Sequence, residues 1–103
     1  MVEAIDAELG DNDFVRRSAT ADDGAFLLCS FWLAEALALI GKDERAHEVF
    51  AQACSAANEL GLLPEEVDPT SGEARGNTPL ALSHAGLVHA ATRLEALTAK
   101  AVA

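Results

Sequence analysis

The hydrophobic pattern of this chain changes character from one segment to the next. Between residues 24 and 40 apolar side chains occupy every helical face. Phe26, Leu27, Leu28, Phe31, Trp32, Leu33, Leu37, Leu39 and Ile40 leave Glu35 as the one formal charge. Asp22 or Asp23 suits the N-terminal cap of this helix and Gly41 its end. From Asp43 onward the apolar residues recur instead in steps of three or four, at Ala46, Val49, Phe50, Ala53, Ala57 and Leu60. That spacing predicts an amphipathic helix capped by Asp43 and stopped by Gly61, with one face in water. A third helix, with Thr78 as cap and Pro79 as its first residue, carries Leu80, Leu82, Leu87, Val88, Ala91, Leu94 and Leu97. Arg93 and Lys100 fall toward its C-terminal end, where cations suit the macrodipole. Near the start, Val2, Ile5 and Leu9 predict a short helix ended by Gly10, followed by a loop over residues 11–23 anchored by Phe14 and Val15. No segment reads as a convincing strand, so the expected class is all-α.

A helix that is apolar all round is buried all round. Three other helices of this size, one barely two turns long, fall short of enclosing residues 24–40. The pattern therefore predicts either a part of a larger body or an obligate oligomer. Trp32, in the middle of that helix, is expected in the core.

At 103 residues the chain is one domain at most. Its formal charge of −10 and pI near 4.5 argue against nucleic acid, which needs a basic face, and against an anionic membrane surface. A neutral small molecule remains open as a ligand. The apolar stretch is shorter than a typical span and is broken by Ser30 and Glu35, so it reads as a core helix and not as a membrane crossing. Glu3 and Asp6 leave no basic region for a signal peptide, and the expected location is cytoplasmic. Cys29 and Cys54 lie inside helical patterns without the spacing of a disulfide framework or a zinc site, and are expected as reduced, buried thiols.

Between the second and third helices lies GLLPEEVDPTSGEARGN, residues 61–77, with Glu65 and Glu66 side by side and Asp68 close behind. Paired carboxylates serve reactions in which one group takes a proton from water while another gives one to a leaving group. In inverting glycoside hydrolysis the two stand about 6.5–9.5 Å apart. Neighbours in sequence need not point into the same space, and on spacing alone this stretch reads as a solvated turn. The histidines favour no metal: His84 and His89 are five apart on one helix, and His47 lies on another. Ser83 adjoins His84, but neighbouring helical positions point apart and no activating acid is evident, so a nucleophilic triad is unsupported. The glycines form neither a dinucleotide nor a phosphate loop. No cofactor is expected.

Several blocks taken together resemble one family. GAFLLCSFWLAEALALIG (residues 24–41), ERAHEVF (44–50), LGLLPEEVDPTSGEARGNTP (60–79) and ALSHAGLVHAA (81–91) are similar, in this order, to the C-terminal segment of glycoside hydrolase family 15. That family includes glucoamylases, glucodextranases and trehalases. The resemblance implies helical hairpins forming part of an (α/α)6 barrel, with residues 1–103 a single partial domain. It also implies an inverting hydrolase of neutral α-glucosides. The family's general base lies at the first Glu of the pair, which is Glu65 here; Glu66 is the alternative. Arg17 falls where the family has a substrate-contacting Arg, although Ser18 follows it in place of Tyr. The family's general acid lies far upstream and nothing here matches it. The chain is thus expected to hold the base without its acid, to need a homo-oligomer or the remainder of the barrel as partner, and to be inactive alone. The alternative is a non-catalytic helical protein, oligomeric, derived from a truncated glycosidase gene.

Overall fold

The computed structural model describes residues 25–102, with side chains to 97, and also positions 4, 5, 7, 10, 11, 14 and 15, with side chains at 4, 5, 7 and 14. The described residues are mostly helical. Ala4, Ile5 and Ala7 are helical and exposed. Strands β1 (Gly10–Asp11) and β2 (Phe14–Val15) form a small antiparallel ladder with Asp11 opposite Phe14. Strand β3 (Ala25–Phe26) leads directly into helix α1 (Leu27–Leu39), which is followed by α2 (Asp43–Cys54). After a long connection containing β4 (Glu66–Val67) and β5 (Ala74–Arg75), helix α3 runs over Ala81–Val102. The second sheet has the order β3-β4-β5 and is antiparallel throughout.

Helix α1 is the centre of the fold and packs against both α2 and α3. Its Leu- and Ala-rich sequence lacks the β-branched residues that lose side-chain freedom in a helix. Its end is fixed by a Schellman motif. Gly41, at φ +85, donates to Ala38 O at 3.1 Å, and Lys42 donates back to Leu37 O at 2.9 Å. Phe31, Ala34 and Leu37 are buried, but the helix is not enclosed. Trp32 is 57% exposed, and Leu39 and Ile40 are exposed beside it. Trp32 is therefore not a core residue of this chain. The inward arc of α1 is used up by α2, α3 and the strands, and nothing described lies across from the remainder.

Helix α2 buries Ala46, Val49 and Ala53 as the spacing predicts. Asp43 is not its cap: Lys42 holds that position without a side-chain bond, while Asp43 and Glu44 place negative charge in the first turn. The helix also stops at Cys54, well short of Gly61. The ladder tightens there into shorter turns, Ala56 donating to Ala53 O at 3.2 Å and Ala57 to Cys54 O at 3.1 Å, and just beyond them Asn58 Oδ1 accepts the amides of Leu60 and Leu62 at 2.9 and 3.0 Å. A side chain that bonds locally in this way competes with the helical ladder. Leu60 is left in solvent, not on the buried stripe.

Helix α3 also starts later than its sequence suggests. The Thr78–Pro79 peptide is cis, and Leu80 spends its N–H on Leu63 O at 3.1 Å. Only then does Leu80 O accept the amides of Ser83 and His84, opening the helix. Ser83, Ala90 and Leu94 face inward, while Leu82 and Val88 face out. Gly86 marks a close approach of α3 to α1: a Cβ there would sit 2.8 Å from Leu28 Cδ1, and the end of the Leu28 side chain would have to shift. One core cluster gathers Leu33, Leu37, Val49 and Leu94 between the helices. The other joins Phe14, Leu27, Phe31 and Ala90 to Leu63 and Val67. The acidic connection is thus anchored in the core at both ends of its Glu pair.

No helix among the described residues is long and apolar enough to cross a membrane. Cys29 and Cys54 are half-buried, and burial pushes the Cys54 thiol up.

Candidate functional site

The segment Leu63, Pro64, Glu65 crosses between the start of α1 and the start of α3. Every backbone polar group in it is bonded, as buried backbone requires. Leu63 donates to His84 Nε2 at 3.0 Å and accepts from Leu80 N–H. Pro64 has no N–H, and its carbonyl accepts from Ser83 Oγ at 2.8 Å. Glu65 donates to Asn77 O at 2.9 Å and accepts from Leu27 N–H at 3.1 Å. Its carboxylate returns to the same neighbour, with Oε1 accepting Asn77 N–H at 3.3 Å. Leu63 and Pro64 are fully buried and Glu65 is half-buried.

Glu66 follows in β4, opposite Phe26 on one side and Arg75 on the other. Successive side chains of an extended segment leave on opposite faces. The two carboxylates therefore do not converge on one bond, and the sequence neighbours cannot act as an acid–base pair with each other.

Gly76 makes room for Glu65. Its φ of +72 lies in the left-handed region, and a Cβ there would overlap Glu65 Oε1 and approach Glu65 Cβ to 3.0 Å. Gly61 has a similar φ of +78 with nothing within 4 Å. Gly61→Ala should therefore cost only the left-handed penalty, roughly 1–2 kcal/mol. Gly76→Ala should cost that and more, because Glu65 must also move. Urea denaturation of the two variants side by side checks the difference.

Beyond the pair, Asp68 closes the turn toward β5. Its Oδ1 accepts the amides of Thr70 and Ser71, and its Oδ2 accepts from Arg75 at 2.9 Å. The Thr70 amide, then the Ser71 amide and the Arg75 guanidinium, hold the Asp68 carboxyl below the usual carboxylate range. Because the folded value is depressed, the stabilisation is present above the ordinary carboxylate range and is lost as pH falls through the lowered value. Asp68→Asn should flatten the acid side of a stability-versus-pH curve relative to wild type, measured by urea midpoints.

On the other side of the fold His89 Nδ1 meets Glu35 Oε1, joining α3 to α1. Beside this pair runs an open groove lined by Ala85, Val88, His89, Thr92, Arg93 and Ala96, which includes neither Glu65 nor Glu66. His47 bonds Asp43 O within its own helix. Among the described residues no group of three metal-binding side chains converges. Arg17 lies outside the described residues.

Ser83, His84, Gly76 and Asn77 are the residues that sequence reasoning did not single out for this loop. Ser83 and His84 both reach one extended segment, at Pro64 O and Leu63 N–H respectively.

Residues 38–92 match the family described as Glycosyl hydrolases family 15. The chain belongs to that family. Among its relatives, a protein named trehalase from Thermoplasma volcanium is 45% identical over 74 residues, covering 72% of this chain and 12% of that protein. A trehalase from Mycolicibacterium smegmatis is 41% identical over 69 residues, covering 67% of this chain and 10% of that protein. Trehalase 1 from Sulfolobus acidocaldarius is 32% identical over 98 residues, covering 91% of this chain and 18% of that protein. The chain thus spans a small fraction of the length of the curated relatives it matches. No solved structure is a significant match.

Proposed function

We propose that this chain is the base-bearing segment of an inverting α-glucoside hydrolase of trehalase type, with Glu65 as the general base. The observation that carries the reading is the hold on Glu65. Its N–H, its carbonyl and its carboxylate are each engaged by the chain, from Leu27 on one side and Asn77 on the other. A half-buried carboxylate with a fixed backbone suits a base that must take a proton from a water poised beneath an anomeric carbon. The acid that protonates the leaving oxygen stands across the bond in an inverting site, about 6.5–9.5 Å away. Glu66 does not fill that role, since it leaves the other face of the segment, and the acid belongs to the rest of a larger catalytic body. Arg17 is the proposed substrate contact. The names of the relatives make trehalose the first substrate to test.

The experiment replaces the matching segment of the Thermoplasma volcanium trehalase with this chain. The chimera should hydrolyse trehalose and release one of the two glucose molecules as the β-anomer, followed by NMR. The isolated chain should leave trehalose and maltose intact. Turnover by the isolated chain that disappears with Glu65→Gln would sink the division of labour.

A second reading is favoured by the exposed Trp32, Leu39, Ile40 and Val88. On that reading the chain is a non-catalytic helical protein whose copies cover these faces. Solution mass separates the two, because a monomer at working concentration removes the oligomeric reading.

A further inference from the structure

We infer that His84 is a positioning residue for Glu65: its Nε2 accepts the Leu63 N–H and thereby holds the extended segment that carries the carboxylate. The inference rests on the reading of Glu65 as the base. A backbone N–H can only donate, so the ring nitrogen facing it at 3.0 Å carries a lone pair. In the neutral ring the proton then sits on Nδ1. Because Pro64 has no N–H, Leu63 supplies the last backbone donor before Glu65, and Leu63 is itself only 1% exposed. A buried donor that loses its acceptor bears the full cost of desolvation, and the segment can relieve that only by moving toward water. Such a movement separates Glu65 from Asn77, whose amide and carbonyl are its partners on that side. Ser83 Oγ and Leu80 N–H add two further bonds from the same turn. The imidazole is the one member of this set that must present a bare nitrogen, so its tautomer and the place of the carboxylate are tied together.

The test uses the chain itself. Long-range 1H–15N spectra of the wild type should show His84 protonated at Nδ1 and bare at Nε2, with a 15N–15N coupling across the hydrogen bond to Leu63. His84→Phe removes the acceptor while keeping a flat ring, and His84→Gln keeps an acceptor. In the Phe variant the amides of Leu63 and Asn77 should exchange with solvent roughly tenfold faster. The Val49 and Ala53 amides of α2 should stay unchanged. The Gln variant should recover most of the protection. A protonated Nε2 in the wild type overturns the inference, as do wild-type exchange rates in the Phe variant. Faster exchange that Gln does not recover also overturns it, by assigning the effect to packing. If the Phe variant does not fold, the wild-type tautomer and coupling decide. None of these readouts involves turnover. A trehalase chimera that stays active with Glu65→Gln would therefore refute the base while leaving the hold of His84 on the loop measurable.

Discussion

Glutamine at position 65 should lower kcat of the trehalase chimera by about 10²–10⁴-fold, with little change in KM. General-base catalysis contributes on that order, and the substitution removes the base while preserving nearly everything else. The glutamine side chain has the same length and its amide oxygen can still accept the Asn77 N–H that Glu65 Oε1 accepts. The backbone bonds to Leu27 and Asn77 do not depend on the side chain at all. Glu66→Gln serves as the control. Its position opposite Phe26 and Arg75 in the small sheet makes it a part of the support, so its change should alter kcat by less than about tenfold. Steady-state kinetics on the three chimeras check this. Equal losses at both positions, or a larger loss at Glu66, would move the base to the alternative residue.

The second large effect concerns neighbours in α1. Phe31→Ala should destabilise the chain by about 3–5 kcal/mol, the range for removing a buried aromatic ring. Phe31 is fully buried, meets Phe50 edge to face at 5.7 Å between ring centroids, and lies under Gly86 of α3. A loss of that size is a large share of the roughly 5–15 kcal/mol available to a typical native protein. Trp32→Ala, one residue along, should change the stability of the isolated chain by no more than about 0.5 kcal/mol, because more than half of the indole faces solvent. Urea denaturation at two protein concentrations tests both. A large cost for Trp32→Ala that grows with concentration would show the indole covered by a second copy. If the rest of the proposed catalytic body covers this face, the same substitution in the chimera should be costly.

The helices were legible in the sequence because their apolar positions are numerous and their periods plain. The excess of apolar residues over residues 24–40 pointed to a helix that the described residues leave partly uncovered, although it could not say that Trp32, Leu39 and Ile40 were the ones left exposed. The ends of the helices were read less well. Past Cys54 the chain closes into shorter turns, Ala56 donating to Ala53 O and Ala57 to Cys54 O, and just before α3 the Leu80 N–H bonds Leu63 O across the fold. The bond to Leu63 depends on a partner that local patterning does not reveal. The strands are two residues long, too short for any alternation to register. In the acidic connection the spacing of Glu65 and Glu66 argued for a solvated turn, and only the likeness of the flanking blocks to a known family drew attention to Glu65. Ser83 and His84 were weighed for nucleophilic chemistry, and in the fold they bond the backbone of Pro64 and Leu63. Their signal, a polar pair opening an apolar helix, has meaning only once the loop is seen to pass beneath it.

The bonds that fix the Leu63–Glu65 segment also set an order of events during synthesis. Leu27 leaves the ribosome well before Glu65, but His84 follows Leu63 by 21 residues. At a translation rate of about 5–20 residues per second, that is a delay of roughly 1–4 s. Throughout it the carboxylate segment has its partner in α1 and lacks those from α3. The site is therefore completed late in the emergence of the described chain, after the hairpin of α1 and α2 has had ample time to form.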